Sequence, residues 1–218
     1  MSLKEKIEVP KYSLGEEIMS AVVHGVGALL SIAALVLCIV FSAARGNTIG
    51  VVSSIIYGTT LIILYTMSTM YHSLAVNNAK RVFRIIDHCS IYLLIAGTYT
   101  PYTLVALPYP LGLILFSVIW AVAILGIVLN AINLKKYKVI SMISYLILGW
   151  VIIFAYNPLV ENVPWGGVLL LIAGGIVYTL GAIFYGFGRK VKYFHSVFHI
   201  FVLAASILHF LSILLYVL

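Results

Sequence analysis

His195 and His199 stand four residues apart in the run His195-Ser-Val-Phe-His199. On a helix that spacing stacks both rings on one face. Imidazole is the commonest neutral metal ligand, and such a pair can offer two nitrogens to one zinc ion. Two ligands leave a site incomplete, so the rest of the chain must supply more. His72 ends another apolar run, in Ser68-Thr-Met-Tyr-His72, and Asp87 and His88 open the next. Whether these groups meet depends on the elements that carry them.

The chain has 218 residues, of which 63% are hydrophobic and 9% charged. Soluble domains carry about 25% charged residues, and so little polar surface cannot coat a globule in water. The composition therefore predicts one integral membrane domain, at residues 18–218. Residues 1–17 mix Lys4, Lys6 and Lys11 with Glu5, Glu8, Glu16 and Glu17. That mixture does not resemble a signal peptide and is expected to form a short cytosolic tail. The net charge of +7 sits in short clusters between apolar runs, a pattern explained by topology and anionic headgroups rather than by nucleic acid.

Charge clusters and prolines divide the apolar sequence into seven expected spans, at about 18–44, 49–71, 85–107, 111–133, 139–156, 166–187 and 193–218. The expected fold is an all-α bundle of seven transmembrane helices in the plasma membrane, with the N-terminus cytosolic and the C-terminus outside. In that scheme twelve of the 13 Lys and Arg residues face the cytosol and only Arg45 faces out, a strong positive-inside bias. Cys38 and Cys89 fall near opposite ends of spans one and three. They are expected to be unpaired packing residues.

The same scheme brings His72, Asp87, His88, His195 and His199 to one layer, at the cytosolic ends of spans two, three and seven. Ionisable groups within a membrane are costly and mark functional sites. His72, His195 and His199 are the expected zinc ligands, and three imidazoles leave a fourth position for water. Asp87 is a fourth ligand, a partner of that water, or an ion-pair partner of Arg84, three residues before it. Ser68 lies one turn before His72 and either supports the site or bonds back to its own helix. His88 points about 100° away from Asp87 and is left out of the ligand set. His24 is expected to pack with a hydrogen bond, with a place beside the ligands as the alternative. His209, more than two turns beyond His199, is expected to be too deep to share the ion.

Together, Ser68-x-x-x-His72, Asp87-His88 leading to Ala96-Gly-Thr-Tyr-Thr-Pro101, and His195-x-x-x-His199 resemble the hemolysin III family. That family is the bacterial branch of the progestin and adipoQ receptors, which include the adiponectin receptors. Glu16 and His24-Gly-x-Gly27 also resemble the bacterial branch. The resemblance runs from about Glu16 to the last helix. It implies seven helices, an internal N-terminus and a zinc ion near the cytosolic face. The ligands it implies are His72, His195 and His199, with Ser68 and Asp87 near the zinc-bound water. It also implies hydrolysis of lipid amides such as ceramide and a role in membrane lipid homeostasis. The long N-terminal region of the animal receptors has no counterpart here, so their ligand and partner contacts do not carry over.

The leading expectation is a zinc-dependent lipid amide hydrolase with Asp87 as base and Ser68 beside it. The alternatives are a receptor or sensor with structural zinc, and a hemolysin-type cytolysin. A pore needs a polar stripe along its spans, whereas these polar groups gather at one end. A transporter is disfavoured by the lack of midplane carboxylates and repeats. A retinal protein is disfavoured because the last span has no lysine beyond Lys192.

Overall fold

The computed structural model describes residues 7–188 and 190–218. Lys4, Glu5, Lys6 and Arg189 lie outside them. Among the described residues, six helices are long and apolar enough to cross a membrane: α1 (Leu14–Ala44), α2 (Thr48–Ser73), α3 (Asn78–Ala106), α4 (Leu111–Asn162), α5 (Trp165–Phe187) and α6 (Phe194–Tyr216). The chain is thus an integral, multi-pass, all-α membrane protein, in agreement with the expected plasma-membrane location.

Local chemistry sets the helix ends. Ser13 caps α1 in a capping box. Its Oγ accepts from the Glu16 N–H, and the Glu16 carboxylate accepts from the Ser13 N–H, so two otherwise unpaired donors are satisfied. Asn47 and Asn77 cap α2 and α3 by accepting from the Gly50 and Lys80 N–H groups. Near the end of α3, Pro101 lacks an N–H, and the helix widens to π geometry over Tyr102–Ala106.

The expected count of seven spans is corrected to six. The runs at 111–133 and 139–156 are one helical element, the 52-residue α4. Lys135, Lys136 and Lys138 read as the end of a span, yet lysine is a good helix former, and after a break at Asn133 the helix resumes through them. The element is not straight. Asn133 alone inside Leu111–Trp150 leaves helical geometry (φ −160°, ψ 90°), and its side chain caps the second limb by accepting from the Lys136 N–H. Asn130 then bonds both Ser141 (2.6 Å) and Tyr145 (3.1 Å), residues about 16 and 22 Å away on a straight helix. The two limbs therefore lie side by side. The orientation of the two termini is an expectation separate from the helix count, because the helices are counted by length and composition alone.

The bundle is apolar outside and mixes polar and apolar side chains inside. On α1 the buried stripe is Ser20, His24, Gly27, Ser31, Ala34, Cys38 and Ser42, while Leu29 is 70% exposed and Ile147 on α4 is 63% exposed. Outward-facing leucine and isoleucine suit acyl chains, and small residues at i, i+3 and i+4 let helix backbones approach closely. Gly126 on α4 is one such position: a Cβ there would collide with the Tyr92 ring of α3. Cys38 and Cys89 are both unpaired, as expected.

Candidate metal centre

Two helix ends meet at one end of the bundle. His72 comes from the last turn of α2 and is 3% exposed; His195 and His199 come from the first two turns of α6 and are 7% and 2% exposed. The Nε2 atom of His195 lies 3.4 Å from that of His72 and 3.1 Å from that of His199. One nitrogen from each ring falls within 4.8 Å of the other two, and this trio is the metal-capable group found among the described residues.

The geometry fits an ion. Two nitrogens bound tetrahedrally to zinc stand about 3.3 Å apart, and both Nε2 distances are close to that value. Three converging imidazole nitrogens cannot all be satisfied by sharing protons among themselves. The His195 Nδ1 atom is also buried without a hydrogen-bond partner. The donor set is three neutral-capable nitrogens with no carboxylate among them, which leaves room for a further ligand.

The outward nitrogens of two of these rings are held. His72 Nδ1 lies 2.6 Å from the Glu17 carboxylate, and Lys80 Nζ donates to the other Glu17 oxygen at 2.7 Å. His199 Nδ1 lies 2.8 Å from His24 Nε2 on α1. Above the cluster, the Tyr12 ring stacks on His195 at 4.5 Å. Glu16 fastens the same end of the molecule: it accepts from the Tyr193 N–H at 2.8 Å, where Tyr193 takes φ 65° just before α6.

A cavity of about 440 Å³ adjoins the cluster. His195, His199, Asp87 and Ser68 line one part of it, and Tyr102 and His209 line it elsewhere. Asp87 to Tyr102 spans about 22 Å of helix, so the cavity runs along much of the bundle. Between its ends the wall is mostly apolar, with Leu64, Ile91, Leu94, Leu171 and Val202 among the lining side chains.

The sequence of this site and its setting agree with known proteins. The family described as "Haemolysin-III related" matches residues 12–210. The chain belongs to the haemolysin-III family. It is 42% identical to Hemolysin-3 of Bacillus cereus over 99% of this chain and 98% of the relative. It is 41% identical to the Hemolysin-3 homolog of Bacillus subtilis over 94% of this chain and 96% of the relative. Similarity extends to the human Monocyte to macrophage differentiation factor, at 28% over 72% of this chain and 67% of that protein. No solved structure matches the chain.

In this haemolysin-III family member the three expected histidines are together. Asp87 is not grouped with them, but lies on the cavity wall near Ser68, His72 and Arg84. Ser68 makes no back-bond to its helix; its Oγ is buried beside the Asp87 side chain. His209 is apart from the cluster and lies 3.1 Å by Nε2 from the Leu171 carbonyl. His24 lies beside His199, the place that the sequence offered only as an alternative. Glu17 was missed. It was read as part of a tail because it precedes the first apolar run, although the pattern Ser13-x-x-Glu16 signals a helix start that would have placed it in the first turns of α1.

Proposed function

We propose that this protein is a zinc-dependent hydrolase of lipid amide bonds, ceramide-like in chemistry, acting in membrane lipid homeostasis. The observation that carries this reading is the junction of a carboxylate-free histidine trio with a long apolar cavity that also holds Asp87 and Ser68. His72, His195 and His199 would hold the ion. Zinc in such a site lowers the pKa of a bound water to about 7 and polarises a carbonyl. The apolar wall suits an acyl chain and excludes bulk water from the reacting end. The Asp87 carboxylate takes the proton released by the attacking water and passes it to the departing amine nitrogen. The Ser68 hydroxyl, beside Asp87, is a hydrogen-bond donor for the substrate carbonyl.

A second reading has the relatives more directly behind it. The Bacillus cereus protein is named Hemolysin-3, and none of the names given above mentions hydrolysis. On that reading the protein acts on membranes as a cytolysin, or as a receptor-like protein, with the metal holding helix ends together. One experiment separates the two. Purified protein of known zinc content is reconstituted into vesicles that contain ceramide and a trapped dye. Fatty-acid release that tracks zinc content and precedes dye loss supports the hydrolase. Dye release without amide cleavage sinks it in favour of the cytolysin, and neither signal at full zinc occupancy leaves the structural site.

A further inference from the structure

The outward nitrogens of the three clustered imidazoles meet three different surroundings. That of His195 is unpartnered, that of His199 faces a neutral-capable ring, His24, and that of His72 faces a carboxylate, Glu17. Ionised carboxylates only accept hydrogen bonds, so against Glu17 the His72 ring carries its proton on Nδ1. That choice leaves the Nε2 lone pair on the side where His195 and His199 converge. Glu17 is itself held from a second side: Lys80 Nζ donates both to it and, at 2.9 Å, to the Leu74 carbonyl just beyond α2. Lys80 is 1% exposed. The contact thus ties α1 to the end of α2 and the start of α3, beside the trio.

We propose that Glu17 is a positioning residue of the metal centre: it fixes the tautomer and ring orientation of His72, so that Nε2 is presented to the other two rings. The inference rests on the zinc reading. Carboxylate partners of metal-bound histidines typically contribute 10- to 100-fold in metal affinity. A purely structural role is the rival account, because Glu17 also neutralises a buried lysine. The two accounts part when the lysine is removed as well.

The test uses the full chain, stripped of metal in detergent and titrated with cobalt(II), whose visible absorption reports tetrahedral binding. Glu17→Gln is expected to weaken cobalt affinity roughly 10- to 100-fold and to lower the melting temperature of the metal-free protein, since Lys80 is left unpaired. Glu17→Gln combined with Lys80→Met is expected to recover the metal-free melting temperature but not the cobalt affinity. Recovery of affinity in the double variant shows that the carboxylate served only to neutralise Lys80, and overturns the proposal. So does a Glu17→Gln affinity within about twofold of the parent, well short of the expected loss. A parent that takes up neither cobalt nor zinc overturns the zinc reading itself, which is a separate and recognisable result. If Glu17→Gln alone does not fold, the double variant decides the question.

Discussion

His199 and His209 lie on the same helix about 15 Å apart, both buried and both on the cavity wall. His209 faces a carbonyl: its Nε2 lies 3.1 Å from Leu171, and its ring packs against Gly174. That contact satisfies Nε2 as an ordinary donor, while Nδ1 is buried without a partner. His199 faces two other imidazoles and has its second nitrogen against His24. Burial and helix are shared, so neither distinguishes the two. What differs is convergence: one residue meets a carbonyl that can take its proton, the other meets nitrogens that compete for the same space. A buried histidine, even with one unpaired nitrogen, is therefore weak evidence for a site, and a buried trio with converging nitrogens is strong evidence.

The sharpest way to break this contrast is to remove metal ligands. His72→Ala, His195→Ala or His199→Ala is expected to abolish most zinc binding, measured as metal per chain. In each variant the melting temperature should stop responding to zinc. The parent should gain about 2.7 kcal/mol at a zinc concentration roughly 100 times its Kd. Full zinc occupancy in all three variants would remove any distinction between the two ends of the helix.

Next in size is Asp87→Asn, which tests whether the trio's end of the cavity is chemically active. Retained zinc is expected with a loss of lipid-amide turnover of roughly 10²- to 10⁴-fold. Collapse of zinc affinity would instead make Asp87 a ligand, and unchanged turnover would exclude it as the base.

His209→Ala probes the other member of the pair. It should leave zinc content intact and cost roughly 1–3 kcal/mol of stability, because the buried Leu171 carbonyl loses its donor. A drop in zinc content comparable to that of His199→Ala would mean that the two histidines are not separate after all.

The smallest expected stability effect is that of Ser68→Ala. Its hydroxyl makes no back-bond and has only the Asp87 side chain beside it, so thermal unfolding should change by about 1 kcal/mol while turnover falls. A large destabilisation with normal turnover would place Ser68 in the packing rather than in the chemistry.

The sequence by itself determined the solvent and the parts. Its apolar content requires a membrane, its period and caps require helices, and the residue types of His72, His195 and His199 make them the natural ligand set wherever they meet. Those are local or compositional properties, legible from the residues alone. The count of spans was not, because three lysines mark a boundary in hydropathy but continue a helix in hydrogen bonding, and the turn in α4 hangs on the dihedrals of Asn133 alone. Nor was the support of the site. His24 reaches His199 across 175 positions of chain, and Glu17 reaches His72 across 55. No spacing rule spans such separations, because the distance between those side chains is set by how α1 packs against α2 and α6. Tertiary structure alone decided which nitrogens face each other, and therefore which histidines form the trio and which one merely bonds a carbonyl.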